Sequence, residues 1–181
     1  IEALKHGGYE NNSKVSIKWI DSETITQQNC YSLFSDVDGI IVPGGFGDRG
    51  IEGMIITAKY CRENNVPYFG ICLGMQIAAI EFARNVLGYK DANSNEFDSS
   101  SAHKIIDFMA DQNDDIDKGG TMRLGGYPCK VKENSLLQKC YNKQLVSERH
   151  RHRYEFNNDY RNEFIENGMD IVGTSPDDKL V

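Results

Sequence analysis

Long apolar runs are absent from this sequence. No apolar segment of the 181-residue chain approaches the roughly 20 residues that a membrane-spanning helix needs, which argues against a helical membrane protein. No charged leader followed by an apolar segment opens the sequence, and the first residues, IEALKHGGY, instead predict a helix that ends at Gly7. We therefore expect that the chain begins inside a longer polypeptide. Hydrophobic residues make up 39% and charged residues 26%, which is typical of one globular domain.

An excess of positive charge is also missing. The formal net charge is −7, which argues against a general nucleic-acid surface, because neutralising phosphates requires clustered lysine and arginine side chains. One local exception is the basic run RHRHR from Arg149 to Arg153. Alternating basic residues on a strand are more typical of a salt-bridged surface or of a contact with an anionic ligand.

The cysteines are odd in number and do not form a Cys-x-x-Cys motif. Five are present and no Cys-x-x-Cys pair occurs, which fits reduced thiols better than a disulfide framework or a zinc site. We therefore expect a cytoplasmic protein. The five are Cys30, Cys61, Cys72, Cys129 and Cys140.

Strand-like and helix-like segments alternate in the first two-thirds of the chain. Strands are predicted at Val15–Ile20, Val37–Pro43 and Tyr68–Ile71, and helices at Ile51–Asn64 and Leu73–Gly88. This alternation predicts a three-layer α/β fold whose central sheet is mostly parallel and has helices on both faces. Ligands in such folds bind beyond the carboxyl ends of the strands.

The pattern is looser after Asp91. A Ser/Asn-rich loop is predicted at Asp91–Lys104, and the acidic stretch Ala110–Gly120 is expected to be mobile. The segment Thr121–Lys132 predicts two short strands about a Gly-Gly-Tyr-Pro turn. Helices are predicted near Ser135–Tyr141 and at Phe156–Gly168.

The motif Gly-x-Cys-x-Gly centres on Cys72, where an apolar run ends and a helix is predicted to begin. A lone cysteine at a strand end is usually a buried core residue. The strand-turn-helix pattern with Gly70 and Gly74 two residues to either side is, however, the arrangement of a nucleophile elbow with Cys in place of Ser. The amino end of the following helix is expected to lower the pKa of the thiol. We favour the nucleophile over the core residue.

A second glycine-rich segment, PGGFGDRG, follows the predicted strand at Val37–Pro43. It has neither the Lys-Ser/Thr ending of a P-loop nor the spacing of a dinucleotide site. An oxyanion hole is the better interpretation, in which the backbone N–H groups of Gly45 and Leu73 donate to an oxygen that becomes negative. A tight turn without further function explains the loop equally well when it is taken alone.

A thiol nucleophile normally needs a histidine base, and the chain offers four candidates without a distinctive pattern. They are His6, His103, His150 and His152. The last two lie two residues apart on a predicted strand, but no further ligands accompany them and we predict no metal site.

Several longer segments carry a resemblance to a known family. GICLGMQ is similar to the nucleophile motif of class I, triad-type glutamine amidotransferases. Within that group, motifs in family order from Trp19 to Val181 resemble the glutaminase domain of the CTP synthase family. The motifs are WIDSE, VPGGFGDRG, GICLGMQIAAIEFARN, ANSNEF, GGTMRLGGYPC, ERHRHRYEFNN and GTSPDDKLV.

The resemblance implies an enzyme that hydrolyses the side-chain amide of L-glutamine through a glutamyl thioester on Cys72. By the same resemblance, Gly45 and Leu73 supply the oxyanion N–H groups, Glu96 holds the substrate's α-amino group and Arg153 contacts its amino-acid end. The segment that lines the glutamine pocket is Leu73, Gly74, Met75 and Gln76.

The resemblance also implies a larger protein around this domain. The whole of residues 1–181 would be a glutaminase domain truncated at both ends. Its ammonia would pass to a synthetase domain of the same polypeptide, which aminates UTP to CTP with ATP and Mg²⁺. No cofactor is expected in the glutaminase domain itself. GTP activation and a homotetramer are implied for the parent, with no membrane and no nucleic acid.

The base and acid of the family lie in a His-Pro-Glu motif, but the sequence contains no His-Pro pair. We expect this motif to follow Val181. Two other functions stay open: another triad-type cysteine hydrolase or amidotransferase on the same fold, and a binding or regulatory module that does not catalyse. A His-Pro-Glu motif in the parent chain would favour the enzyme, and its absence would favour the module.

Overall fold

A computed structural model describes residues 1–108 and 123–181. The predicted acidic segment Ala110–Gly120 lies outside these residues. The helices are α1 (Glu2–Glu10), α2 (Cys30–Phe34), α3 (Ile51–Asn64), α4 (Leu73–Phe82), α5 (Leu136–Tyr141) and α6 (Arg161–Glu166). The strands are β1 (Ile40–Val42), β2 (Tyr68–Gly70), β3 (Asn93–Ser94), β4 (Lys104–Phe108), β5 (Arg123–Val131), β6 (Leu145–His152), β7 (Tyr154–Phe156) and β8 (Gly173–Thr174).

The first half of the fold contains parallel strand pairs covered by helices. β1 pairs with β2 in parallel, and β3 pairs with β4 in parallel. The helix α3 connects β1 to β2, as expected for a βαβ unit, because parallel neighbours need a crossover connection. The predicted α/β fold with a parallel sheet is confirmed.

The apolar core lies where α3 and α4 pack on these strands. Ile77 and Ile80 of α4 and Ile105 and Ile106 of β4 are fully buried, and Phe164 of α6 packs on the same cluster. This burial fixes α4, and therefore the residue that precedes its first turn. A smaller cluster joins α2 to α3 through residues that include Cys30, Phe34 and Tyr60.

The second half of the fold is antiparallel. β5 pairs with β6 and β8, and β7 pairs with β4. The predicted turn between two strands in Thr121–Lys132 is wrong, because β5 runs continuously through Pro128. Its pairing with β6 extends from Arg123 opposite His152 to Lys130 opposite Leu145, so the ladder satisfies the backbone and outweighs the local turn signal.

The other predicted elements are confirmed in part. α3 has the predicted bounds, and a π-helical turn extends α4 to Leu87 before Gly88 in the left-handed conformation. α1 continues past Gly7 to Glu10, and the predicted strand Val15–Ile20 has no strand partner in the described parts of the chain. None of the described helices is long and apolar enough to cross a membrane.

Candidate active site around Cys72

Cys72 lies in a sharp turn between β2 and α4. Its backbone has φ 55° and ψ −107°, a conformation that a residue with a side chain rarely adopts. Such residues cost of order 1–3 kcal/mol each and persist where the surrounding structure enforces them. The buried helix α4 and the paired strand β2 enforce it here. The turn has the geometry that the nucleophile-elbow prediction requires.

The two glycines of the motif permit a close approach of backbone segments. A Cβ on Gly70 would lie 2.4 Å from the carbonyl carbon and oxygen of Gly74, inside the first turn of α4. A Cβ on Gly74 would lie 2.1 Å from the carbonyl oxygen of Val42 in β1. Both positions therefore require glycine, because no side chain fits between these backbones.

The glycine loop, Gly44–Gly50, packs directly against the cysteine. A Cβ built on Gly44 would be 3.3 Å from Cys72 Cβ and 3.9 Å from its Sγ, and one on Gly45 would be 3.1 Å from Leu73 Cδ2. The structure therefore brings together the loop, the thiol and the start of α4, which were predicted to form one site. It places the backbone of the loop beside the sulfur without an intervening side chain.

The electrostatic environment of Cys72 raises the pKa of its thiol. Burial contributes most, the Leu73 N–H opposes it by favouring the thiolate, and the negative charges of Glu96 and Glu155 raise the pKa further. The prediction that α4 lowers the pKa is therefore wrong in its net direction. Desolvation and two carboxylates from other segments outweigh the amino end of the helix.

Glu96 reaches the glycine loop from the segment that follows β3. Its Oε1 accepts a hydrogen bond of 3.3 Å from the Gly47 N–H, and its own N–H donates to the buried Ser94 Oγ at 3.2 Å. Gly47 has φ +80°, which glycine adopts without strain. Glu96 therefore contacts the glycine loop, and its charge acts on the Cys72 thiol.

The far end of the glycine loop is held by the turn at Ser22–Thr24. Arg49 donates from Nε and from one terminal nitrogen to the two carboxylate oxygens of Glu23, at 2.7 and 2.8 Å. A Cβ on Gly50 would lie 2.1 Å from Ser22 Oγ, so the loop packs tightly on this turn. A cavity of about 460 Å³ lies here, and its lining includes Ser22, Glu23, Asp48, Gly50, Asn93 and Phe97.

Gln76 of α4 contacts Tyr154, the first residue of β7, which directly follows Arg153. The buried Gln76 donates from Nε2 to the carbonyl oxygen of Tyr154 at 3.4 Å. The Arg153 guanidinium lies over the rings of Phe108 and Tyr154, 5.1 and 5.8 Å from their centroids. Its Nε is buried and has no hydrogen-bond partner within residues 1–108 and 123–181. Gln76 is therefore tied to the strand end that presents Arg153, and the half-buried Met75 lies beside it on α4.

A family model for class-I glutamine amidotransferases matches residues 1–181. The chain belongs to the class-I glutamine amidotransferase family. It is 58% identical to the CTP synthase of Clostridium kluyveri over 181 residues, which are 100% of this chain and 34% of that protein. It is 59% identical to the CTP synthase of Lactiplantibacillus plantarum, over 99% of this chain and 34% of that protein. The chain thus spans about a third of the length of these relatives.

A solved amidotransferase structure has the same fold. It is the glutaminase domain of Trypanosoma brucei CTPS with bound acivicin, and it superposes with a TM-score of 0.88 at 38% identity. The match covers 96% of this chain and 67% of that one.

Three of the four histidines of this amidotransferase chain have partners other than Cys72 in the structure. The Nδ1 of His103 lies 2.7 Å from Asp91 Oδ1, and the Nδ1 atoms of His150 and His152 lie 3.3 Å apart. None of the four forms a hydrogen bond with Cys72 in the described part of the chain, so none is placed as its base. His6 lies on the exposed surface of α1.

Sequence reasoning missed one carboxylate of this amidotransferase site. Glu155 is buried in β7, and its charge acts on the Cys72 thiol. The signal was available in the motif RHRYEF, where Glu155 is the acidic residue that follows the basic run. It could not be assigned from the pattern alone, because its partner, Arg123, lies 32 residues away in the sequence.

Proposed function

We propose that the chain is a glutaminase in which Cys72 attacks the side-chain carboxamide of L-glutamine. The observation that carries the proposal is the strained turn at Cys72, with Gly44 packed against the cysteine and Gly45 against the adjacent Leu73. Membership of the class-I glutamine amidotransferase family supports the same substrate. The first relatives are named CTP synthase, and the solved structure is named as a glutaminase domain.

The reaction has two covalent steps. The Cys72 thiolate adds to the carboxamide carbon, and the carbonyl oxygen becomes an oxyanion that accepts hydrogen bonds from the N–H groups of Gly45 and Leu73. Loss of one such donor typically lowers kcat by about a hundredfold or more. The C–N bond then breaks as the leaving nitrogen takes up the proton that the thiol gave up, so that ammonia departs and a glutamyl thioester remains. Water attacks this thioester, releases glutamate and regenerates the thiol.

The raised pKa of the free thiol bears on the first step. Burial and the charges of two carboxylates disfavour the thiolate of Cys72 in the absence of substrate. We infer that the substrate's ammonium group, when it binds at Glu96, neutralises one of the two carboxylates that raise this pKa. Glutamine would then favour the formation of its own nucleophile.

The amino-acid end of glutamine is a zwitterion, so the site needs a group of opposite charge for its ammonium group and another for its carboxylate. In the proposal Glu96 binds the α-ammonium group and Arg153 contacts the amino-acid end of the molecule. Gly74, Met75 and Gln76 of α4 line the glutamine pocket in this proposal. The proton transfers require a base and an orienting acid, and the His-Pro-Glu segment expected beyond Val181 stays a prediction.

We propose further that the chain is the glutaminase domain of a longer CTP synthase. Ammonia would pass to a synthetase domain that aminates UTP to CTP with ATP and Mg²⁺, in a cytoplasmic homotetramer activated by GTP. We assign Mg²⁺ and ATP to that synthetase domain by the family resemblance.

The experiment compares two nitrogen sources in the full-length protein. Cys72→Ser should abolish the formation of CTP from UTP with L-glutamine and leave its formation with ammonium chloride within about twofold of wild type. Cys140→Ser is the matched control, because Cys140 is an exposed free cysteine on α5, and it should change neither activity. Glutamine-dependent CTP formation that survives in Cys72→Ser would contradict the proposal.

A further inference from the structure

A buried ion pair joins Arg123 to Glu155. Their side chains are 4% and 5% exposed, and the guanidinium lies 3.4 and 3.5 Å from the two carboxylate oxygens. Arg123 Nε is buried without a hydrogen-bond partner in the described residues. His152 Nδ1 lies 3.8 Å from Glu155 Oε1. Both charges are therefore removed from water, although their mutual hydrogen bonds are long.

The pair closes a corner between two sheets. Arg123 begins β5 and lies opposite His152, the last residue of β6. Glu155 is the middle residue of β7, which pairs with β4 in another sheet and places Asp107 opposite Glu155. The chain leaves one sheet and enters the other at Arg153, the one residue between β6 and β7. The ion pair thus connects the two sides of the bend that presents Arg153.

Two contacts and one electrostatic interaction link this corner to the proposed glutamine site. The Arg153 guanidinium stacks over Phe108, and the carbonyl of Tyr154 accepts the hydrogen bond from Gln76. The charge of Glu155 also acts on the Cys72 thiol. Three consecutive residues of the corner therefore act at the site: Arg153 itself, Tyr154 through Gln76, and Glu155 through its charge on Cys72.

Stability alone does not account for a pair of this kind. Replacing a buried ion pair by apolar residues of similar volume is often neutral or stabilising, because the desolvation of two charges offsets their attraction. This pair has long hydrogen bonds and one unpartnered buried N–H, so its geometry is unfavourable for stability. What it does supply is a fixed distance between β5 and β7 across the bend.

We propose that Glu155 is a positioning residue of the glutamine site, which through its buried pair with Arg123 fixes the corner that presents Arg153 and the Tyr154 carbonyl. The proposal rests on the proposed glutaminase function. Glu155 acts through its neighbours and does not touch the substrate. Its loss loosens the corner, so that Arg153 no longer meets the amino-acid end of glutamine in a single orientation.

The experiment measures glutaminase kinetics of Glu155→Gln in the full-length protein. We expect KM for L-glutamine to rise about tenfold, which corresponds to about 1.4 kcal/mol, with a smaller change in kcat, because Cys72 and the glycine loop lie on other elements. Glu81→Gln is the matched control. Glu81 is also a buried carboxylate paired with an arginine, Arg62, but it joins α3 to α4 away from the corner. It should leave KM within twofold of wild type.

The pKa of the Cys72 thiol provides a second readout of the variant. Removing the negative charge of Glu155 should lower the pKa of the Cys72 thiol, so the pH midpoint of its alkylation by iodoacetamide should move to lower pH. The other charge that acts on this thiol is Glu96, which is unchanged in the variant. In Glu81→Gln the midpoint should stay at the wild-type value.

A double variant covers the case in which Glu155→Gln does not fold. Arg123→Gln with Glu155→Gln leaves no unpaired buried charge, and it should fold and show the same rise in KM. Wild-type glutaminase activity with KM unchanged in the folded Glu155 variants would overturn the positioning role and leave the proposed function intact. A wild-type protein that does not hydrolyse glutamine would overturn the proposed function and, with it, this proposal.

Discussion

Replacement of Gly70 by alanine tests whether the turn at Cys72 depends on a close backbone approach. A Cβ at this position would lie 2.4 Å from the carbonyl carbon and oxygen of Gly74 and 2.6 Å from the Met75 nitrogen. Ordinary contact begins near 3.4 Å, so the start of α4 must move by about 1 Å. The neighbours are backbone atoms of a buried helix, which cannot rotate away as a side chain does.

The expected effects follow from this displacement. Overpacking of a well-packed core costs about 1–3 kcal/mol. For a domain of this size the midpoint of thermal inactivation should then fall by about 2–12 °C. Because Cys72 directly precedes the shifted turn, kcat for glutamine should fall by about a hundredfold, the order of loss that a 1 Å misplacement produces.

The assay compares Gly70→Ala with Gly126→Ala in the full-length protein. A Cβ on Gly126 in β5 would meet only Ser147 Oγ at 3.3 Å, and this hydroxyl can rotate, so kcat should stay within about twofold of wild type. Measurements of kcat, of thermal inactivation and of the rate of Cys72 alkylation suffice. Wild-type values of all three in Gly70→Ala would refute the reasoning that a tight elbow presents the sulfur.

Three further predictions concern charge and backbone propensity. Glu96→Gln removes a negative charge that raises the pKa of the Cys72 thiol, so the pH curve of its alkylation by iodoacetamide should move to lower pH, and KM for glutamine should rise. An unmoved curve would show that Glu96 does not lie near the thiol. Glu23→Gln breaks an exposed bidentate pair with Arg49, and kcat should fall about two- to threefold relative to wild type, by an amount that depends on the salt concentration. Exchanging the two charges should restore activity, and a variant kcat equal to that of wild type at both low and high salt would exclude the pair as a support of the glycine loop. A Cβ on Gly7, in the middle of α1, would have open space around it, so Gly7→Ala should stabilise the helix by about 0.5–1 kcal/mol. Amide hydrogen exchange of α1 should then be slower than in wild type, and faster exchange would show that the helix does not form as described.

Local patterns predicted the elements that position the nucleophile. The spacing of apolar residues in α3 gave its bounds, and Gly88 marked the end of the helical segment that begins at Leu73, because glycine adopts the left-handed conformation without strain. The glycines on either side of Cys72 predicted the sharp turn. These features depend on residues within a few positions of one another, and a single sequence contains that information.

Features that depend on distant segments were not predictable in the same way. The pKa of Cys72 has the opposite direction from the prediction, because burial raises it most and the charges of Glu96 and Glu155 approach it from other segments of the chain. The Gly-Gly-Tyr-Pro segment forms strand rather than turn, because β6 pairs with it along its length. The pair of Arg123 with Glu155 spans 32 positions and is set by the meeting of two sheets.

The central claim is that Cys72 is the nucleophile that attacks glutamine, and covalent labelling tests it most directly. The full-length protein is incubated with a glutamine analogue that carries an electrophilic carbon in place of the carboxamide, and the modified peptide is located by mass spectrometry. The account predicts one label, on Cys72, whose formation is slowed by L-glutamine. A label on any of the other four cysteines instead of Cys72, or glutaminase activity that survives in Cys72→Ala, would contradict it.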